Sequence, residues 1–253
     1  MILDAFQLTH KVAIVTGCDT GLGQGMALGL AEAGCDIVGV GRKTPHETAE
    51  KITRLGRRFL AIQADLSKQD AIDDIVSQTV SQMGRIDILL NNAGTIRRCD
   101  AIDFSEKDWD EVMDLNLKTV FFLSQAVARQ FIAQAEGGKI INIASMLSFQ
   151  GGIRVPSYTA SKSGLMGLTR AMANEWAVHN INVNAIAPGY MATNNTQALR
   201  EDEERNKAIL DRIPAGRWGD PVDLKGPAVF LASSAADYIN GYTLAVDGGW
   251  LAR

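Results

Sequence analysis

Seven short runs of β-branched and other apolar residues, separated by longer stretches of helical periodicity, constrain this chain more than any other feature. The runs are Val12–Thr16, Asp36–Val40, Phe59–Gln63, Ile86–Leu90, Lys139–Ala144, Ile181–Ile186 and Thr243–Val246. Several place apolar side chains at consecutive positions, so both faces must be covered, as in a parallel strand flanked by helices. Helices are predicted near Leu22–Ala33, Glu47–Leu55, Asp70–Met83, Trp109–Ala133, Tyr158–Trp176 and Asp223–Leu231. Strand and helix alternating at this spacing predict an α/β fold around a doubly wound, mostly parallel sheet. With 253 residues, one such domain accommodates the whole of 1–253. The stretch 187–221 breaks the alternation. It runs from Pro188-Gly189 through a charged helix, roughly Glu201–Ile213, to Pro214, and is expected to shape a substrate site.

Composition excludes several classes of function. Apolar residues make up 46% of the chain and charged residues 21%, the balance of a soluble globular protein. A net charge of -4 supplies no basic field for nucleic acid or anionic lipid, so neither partner is expected. Three cysteines and three histidines fall at no metal-ligand spacing, and no metal is expected. The first ten residues lack the pattern of a signal peptide, and no apolar run approaches a membrane span, which makes the cytoplasm the expected compartment.

Ligands of an open parallel sheet bind beyond the carboxyl ends of its strands. Four notable segments fall there: Gly17 to Gly23, Asp65, Asn91 to Gly94, and Ser145. The first, Thr16-Gly17-Cys18-Asp19-Thr20-Gly21-Leu22-Gly23, joins a strand to a helix, where glycines permit a tight turn and close approach to a pyrophosphate. It lacks the lysine and hydroxyl of a P-loop. The second strand ends Val40-Gly41-Arg42-Lys43 without an acidic residue, and Arg42 is placed to stack on adenine or meet a 2'-phosphate. Asp19, in a glycine-rich loop without basic residues, argues the other way.

Ser145, Tyr158 and Lys162 carry the reading of chemistry. Tyrosine ionises near pH 10 when free, and a lysine one helical turn away favours its phenolate. The tyrosine then becomes a usable acid/base, while the serine hydroxyl can hydrogen bond to the same substrate oxygen.

Together these residues resemble the short-chain dehydrogenase/reductase family over essentially the whole chain. The matching elements are Thr-Gly-x-x-x-Gly-x-Gly at 16–23, Asp65, Asn-Asn-Ala-Gly at 91–94, Asn116, Ser145, Tyr158-x-x-x-Lys162 and Pro188-Gly189. The resemblance implies a three-layer Rossmann-type fold with a seven-stranded parallel sheet, a homotetramer and a nicotinamide cofactor, here NAD(H). It implies catalysis by Asn116, Ser145, Tyr158 and Lys162. The cofactor residues it implies are Gly17, Asp19, Gly21, Leu22, Gly23, Arg42, Asp65, Leu66, Asn92, Ala93, Gly94, Tyr158, Lys162, Pro188, Gly189 and Thr193.

Arg97 and Arg98 follow Asn-Asn-Ala-Gly, and Arg154 lies four residues before Tyr158. These two loops are expected to converge over the reacting centre, where guanidinium groups suit a carboxylate. The substrate side is therefore assigned to Arg97, Arg98, Ser145, Arg154 and Tyr158, and the substrate to a small hydroxy- or keto-acid. Thr-Ile-Arg-Arg at 95–98 and the ending Val-Asp-Gly-Gly-Trp-Leu-Ala-Arg resemble a branch acting on a six-carbon deoxy keto sugar acid. A 3-oxoacyl-carrier-protein reductase or another sugar alcohol dehydrogenase is the enzyme alternative, and a non-catalytic cofactor-binding regulator is a remote one.

Overall fold

All seven expected strands form in the computed structural model, which describes residues 1–253. They are β1 (Val12–Thr16), β2 (Asp36–Gly41), β3 (Phe59–Gln63), β4 (Ile88–Asn91), β5 (Gly138–Ile143), β6 (Ile181–Pro188) and β7 (Thr243–Val246). Every neighbouring pair is parallel, in the order β3-β2-β1-β4-β5-β6-β7. The order reverses between β1 and β4, and a ligand crevice opens beyond the carboxyl ends of strands at such a reversal.

Covering the sheet are α1 (Gly21–Glu32), α2 (His46–Arg54), α3 (Ile72–Met83), α4 (Glu106–Met113), α5 (Thr119–Gln134), α6 (Pro156–Trp176), α7 (Gln197–Glu201), α8 (Glu203–Arg212) and α9 (Lys225–Ala232). Along β1, Ala13 and Val15 pack on α1 and α9, whereas Val12 and Ile14 pack with residues of α3, α5 and α6. One strand therefore feeds two cores by simple alternation of side chains. The two clusters hold 22 and 21 buried residues, so the sheet is covered about equally on both sides. No helix is long and apolar enough to cross a membrane.

The expected continuous helix Trp109–Ala133 is broken in a particular way. Between α4 and α5 the residues Asp114–Lys118 form a π-helical turn. Such turns insert an extra residue into a helix and are frequent at functional sites. A buried polar network ties the neighbouring elements: Asn91 Nδ2 donates to Ser124 Oγ at 3.0 Å and to Asn142 Oδ1 at 2.9 Å. Asn142 in turn donates to Thr169 Oγ1 at 2.9 Å, so β4, β5, α5 and α6 are tied by polar groups that satisfy one another.

The excursion after β6 contains the expected charged helix as α8, preceded by the short α7. Asp202 caps α8 by accepting a hydrogen bond from the Arg205 backbone N–H at 2.9 Å. Pro156 opens α6 at a position where its missing N–H costs nothing.

Candidate active site

A cleft of about 1410 Å³ lies beyond the carboxyl ends of the strands and brings nearly all the expected residues together. One wall is main chain. Gly17 and Gly21 adopt positive φ of 64° and 57°, which glycine tolerates without cost. A Cβ at Gly23 would stand 2.1 Å from the Gly17 carbonyl oxygen and 2.4 Å from Asn92 Nδ2. Asn92 explains that closeness: its side chain donates to the carbonyls of Thr16 at 3.0 Å and Gly17 at 2.8 Å. Thr16 Oγ1 accepts from the backbone N–H of Asn92 and Ala93, both at 2.9 Å, locking β4 to the glycine loop.

Residues of this wall fit a dinucleotide. The N-cap of α1, Thr20, makes no side-chain cap, and its first turn carries no acidic residue, leaving the helix N-terminus available to a phosphate. Leu22, Gly94, Pro188, Gly189 and Thr193 also line the cleft, with Asp19, Arg42, Asp65 and Leu66. Asp65 is partly engaged: its carboxylate accepts from Ser67 N at 3.1 Å and Ser67 Oγ at 2.8 Å, which holds its pKa below the usual carboxylate range. Arg42 and Lys43 are exposed at the end of β2. Cys18, buried beneath the loop, has its thiol pushed up to about 12, chiefly by burial, and offers no thiolate.

At the floor stand Ser145, Tyr158 and Lys162. Ser145 is buried at the end of β5, its Oγ accepting from Leu147 N at 3.1 Å. Lys162 is buried on α6, donates from Nζ to the Ile143 carbonyl at 2.6 Å, and lies 5.7 Å from the Tyr158 ring centroid. Burial draws its pKa down to about 8.

The expectation of a lowered tyrosine pKa requires correction. Burial raises Tyr158 above its ordinary value, against the opposing effects of a Ser145 hydrogen bond and the Arg98 charge. Lys162 is not among the groups that shift it.

Asn116 occupies the π turn and is wholly buried. Its Oδ1 accepts from Thr95 N at 2.8 Å, and its Nδ2 donates to the Thr95 carbonyl at 2.8 Å and to Ser161 Oγ at 3.3 Å. It thereby clamps the loop carrying Arg97 and Arg98 against α6.

The two arginine-bearing loops do meet, with Cys99 N donating to the Arg154 carbonyl at 3.0 Å. The arginines nevertheless differ. Arg97 pairs with Glu111 at 2.7 Å, and Arg154 with Asp100 at 2.9 Å. Arg98 lines the cleft, makes no intrachain ion pair, and acts electrostatically on Tyr158. Three other groups of the cleft have no counterpart in the sequence reading: Arg205 and Arg212 on α8, and Trp250. The spacing 205, 209, 212 was the available signal for a helix face, but nothing local shows that the face meets Ser145's loop.

Residues 11–204 match the short chain dehydrogenase family model. The chain is 74% identical to the 2-dehydro-3-deoxy-D-gluconate 5-dehydrogenase of Escherichia coli and 73% identical to that of Dickeya dadantii, each over 100% of both chains. Among solved structures, an NADP-bound protein of Agrobacterium tumefaciens is 56% identical with a TM-score of 0.94, covering 99% of this chain and 100% of that one. A Burkholderia cenocepacia gluconate 5-dehydrogenase in complex with NADP and tartrate is 38% identical with a TM-score of 0.95, covering 100% of both. With a family model over most of its length and full-length relatives at this identity, the chain belongs to the short-chain dehydrogenase family.

Proposed function

We propose that the chain catalyses the reversible, NAD(H)-dependent interconversion of 2-keto-3-deoxy-D-gluconate and 2,5-diketo-3-deoxygluconate. One observation carries the reading: Ser145, Tyr158 and Lys162 share the floor of a cleft that also exposes the unpaired guanidinium of Arg98. Full-length relatives at 73–74% identity named for this substrate support it.

A nicotinamide bound in the cleft supplies hydride to the C5 carbonyl or takes it from the C5 alcohol. Tyr158 gives a proton to the C5 oxygen in reduction and removes it in oxidation. Because burial raises the Tyr158 pKa, the phenol is its resting form, ready to donate to a carbonyl. Ser145 orients that oxygen and stabilises negative charge developing on it. Lys162, with a pKa drawn to about 8, is able to exchange protons near physiological pH and to hold the nicotinamide ribose. Asn116 keeps the Thr95 loop in place beside α6 and belongs to the proton relay from Lys162. Arg98 faces the substrate carboxylate, with Arg97 and Arg154 shaping the loops around it.

Gly17, Gly21, Leu22 and Gly23 receive the pyrophosphate half of the cofactor, Asp19 and Arg42 the adenosine ribose, Asp65 and Leu66 the adenine. Asn92, Ala93, Gly94, Pro188, Gly189 and Thr193 hold the nicotinamide half, while the 187–221 excursion shapes the substrate end. Preference for NAD(H) rests on Asp19. Exposed Arg42 and Lys43 favour the second reading, NADP(H), as do NADP-bound relatives. The working form is a cytoplasmic homotetramer.

A coupled absorbance assay comparing 2-keto-3-deoxygluconate, gluconate, neutral sugars and an acetoacetyl thioester with each cofactor tests the reading. The keto acid should give the highest kcat/KM. Dominance of a neutral substrate, with the acid inert, overturns it. A ten-fold advantage for NADPH, about 1.4 kcal/mol, overturns the cofactor preference alone.

A further inference from the structure

We infer that Arg212 is a second anchor for the substrate carboxylate, and that the C-terminal turn Asp247–Trp250 positions it. The inference rests on the keto-acid reading above and assigns a specificity residue to it.

Arg212 closes a stripe on α8. Arg205, Ala208, Ile209 and Arg212 follow one another at spacings of three, one and three residues, and all four line the cleft. Arg98 lines the same cleft, so cations from α8 and from the loop after β4 share it. Nearby acids are already engaged. Asp211 pairs with Lys207 at 2.6 Å, Glu111 with Arg97 at 2.7 Å, and Asp202 caps α8.

Arg212 is also held in place. Its guanidinium carbon stacks 3.9 Å from the Trp250 ring centroid, and its Nη2 donates to Gln150 Oε1 at 3.3 Å. Gln150 belongs to the loop that follows Ser145, so α8, the serine loop and the chain's last residues converge on one side chain. An arginine flat on an aromatic face keeps its edge donors available to a planar carboxylate.

The sequence Asp247-Gly248-Gly249-Trp250 builds the platform. Asp247 accepts from Gly249 N and Leu251 N, both at 2.9 Å, while both glycines adopt positive φ. A Cβ on Gly248 would lie 3.0 Å from Ile213, and one on Gly249 would lie 3.0 Å from Pro214. The turn therefore lies directly on the residues leaving α8. Trp250 itself packs with Met146, Ile209 and Ile213, yet its buried indole N–H finds no acceptor within the chain.

Chemistry sets the geometry that such an anchor must serve. In a six-carbon acid reacting at C5, the C1 carboxylate lies four carbons from the hydride site. It has to be recognised at some distance from the reacting carbon, within the cleft that Arg98 and α8 both line. Arg98, whose charge reaches Tyr158, covers the nearer side.

The test compares 2-keto-3-deoxygluconate with its methyl ester, which removes the charge and adds only a methyl group, using the full-length protein and NAD(H). Arg212 is exposed in the open cleft, so Arg212→Gln should raise KM for the acid about ten-fold, about 1.4 kcal/mol. The ester and NADH should shift by no more than about three-fold on the same scale. Arg212→Lys should recover part of the loss. Trp250→Leu should reproduce the Arg212→Gln pattern in KM with little change in kcat, and Trp250→Phe, which keeps a ring beneath the guanidinium, should restore it. Combining Trp250→Leu with Arg212→Gln should add nothing further, since the two act as one unit. An unchanged acid-to-ester ratio in Arg212→Gln overturns the inference and leaves the keto-acid reading intact. A wild-type protein that fails to discriminate acid from ester overturns both.

Discussion

At Gly23 an added methyl group would stand 2.1 Å from the Gly17 carbonyl, whereas at Gly151, in the cleft-lining loop after Ser145, it would meet nothing within 4 Å. The glycine-loop wall is main chain resting on main chain, fixed by Asn92 and by two positive-φ glycines. The α8 wall consists of side chains: Tyr190 against Trp218 and Trp250 at 5.4 and 4.8 Å, and Arg212 on Trp250. Changes on the first wall meet hard contacts and should act nearly all-or-none. Those on the second remove one partner from an adaptable cluster and should act by degrees, chiefly on which substrate is accepted.

The contrast can be broken most directly where the walls meet. Tyr158→Phe keeps the ring but removes the proton donor, and turnover should fall by about 10²–10⁴-fold with both binding steps nearly intact. Near-native turnover in a folded variant removes Tyr158 from the mechanism. Gly23→Ala should cost about 3 kcal/mol of cofactor affinity through overpacking, while Gly151→Ala stays within about 0.5 kcal/mol. Fluorescence titration with NADH measures both, and equal behaviour would erase the distinction between the walls.

Lys162 sharpens the comparison through pH. Burial penalises its ammonium, so below about pH 8 the folded protein carries that cost in full. Between about 8 and the unbound value of 10.5 the unfolded chain binds the extra proton, and stability rises with pH. Relative to Lys162→Met, the cofactor-free wild type should gain roughly 3 kcal/mol across that window in denaturant titrations. A parallel pair of stability curves would contradict the burial. The smallest effect belongs to the groups that oppose the raised Tyr158 pKa. Ser145→Ala or Arg98→Gln removes a lowering influence, so the alkaline rise of kcat/KM for alcohol oxidation should move to higher pH. Movement to lower pH would reverse the assigned roles.

Sequence order made the sheet legible because two-sided burial leaves a direct trace in runs such as Val12–Thr16 and Ile181–Ile186. Gly17, Gly21 and Gly23 were equally readable, since positive φ at the first two and main-chain crowding at the third demand glycine. The ion pairs that distinguish Arg97 and Arg154 from Arg98 were not. Glu111 is fourteen residues from Arg97, and no local pattern fixes which neighbouring guanidinium it takes. The Tyr158 pKa failed for another reason: helical spacing gives the nearness of Lys162 but says nothing of the desolvation that acts on both groups. Arg212 and Trp250 stand thirty-eight residues apart by their numbers, and only the folded tail brings them into contact.

The turn at Asp114–Lys118 carries a further consequence when its residues are counted against its hydrogen-bond ladder. A π turn holds one residue more than the α ladder needs, so the helices on either side keep the same angular phase toward the core. The surplus is what lets Asn116 spend its amide on Thr95 and Ser161 while Leu123, Val127 and Phe131 still point inward. Deleting one residue within 114–118 should therefore heal the ladder and leave the fold standing, with the Thr95 clamp lost. The same deletion inside α5 would rotate everything after it by about 100° and swing Phe131 out of its site. Along this pair of helices, the π turn is where chain length can change by one without changing direction.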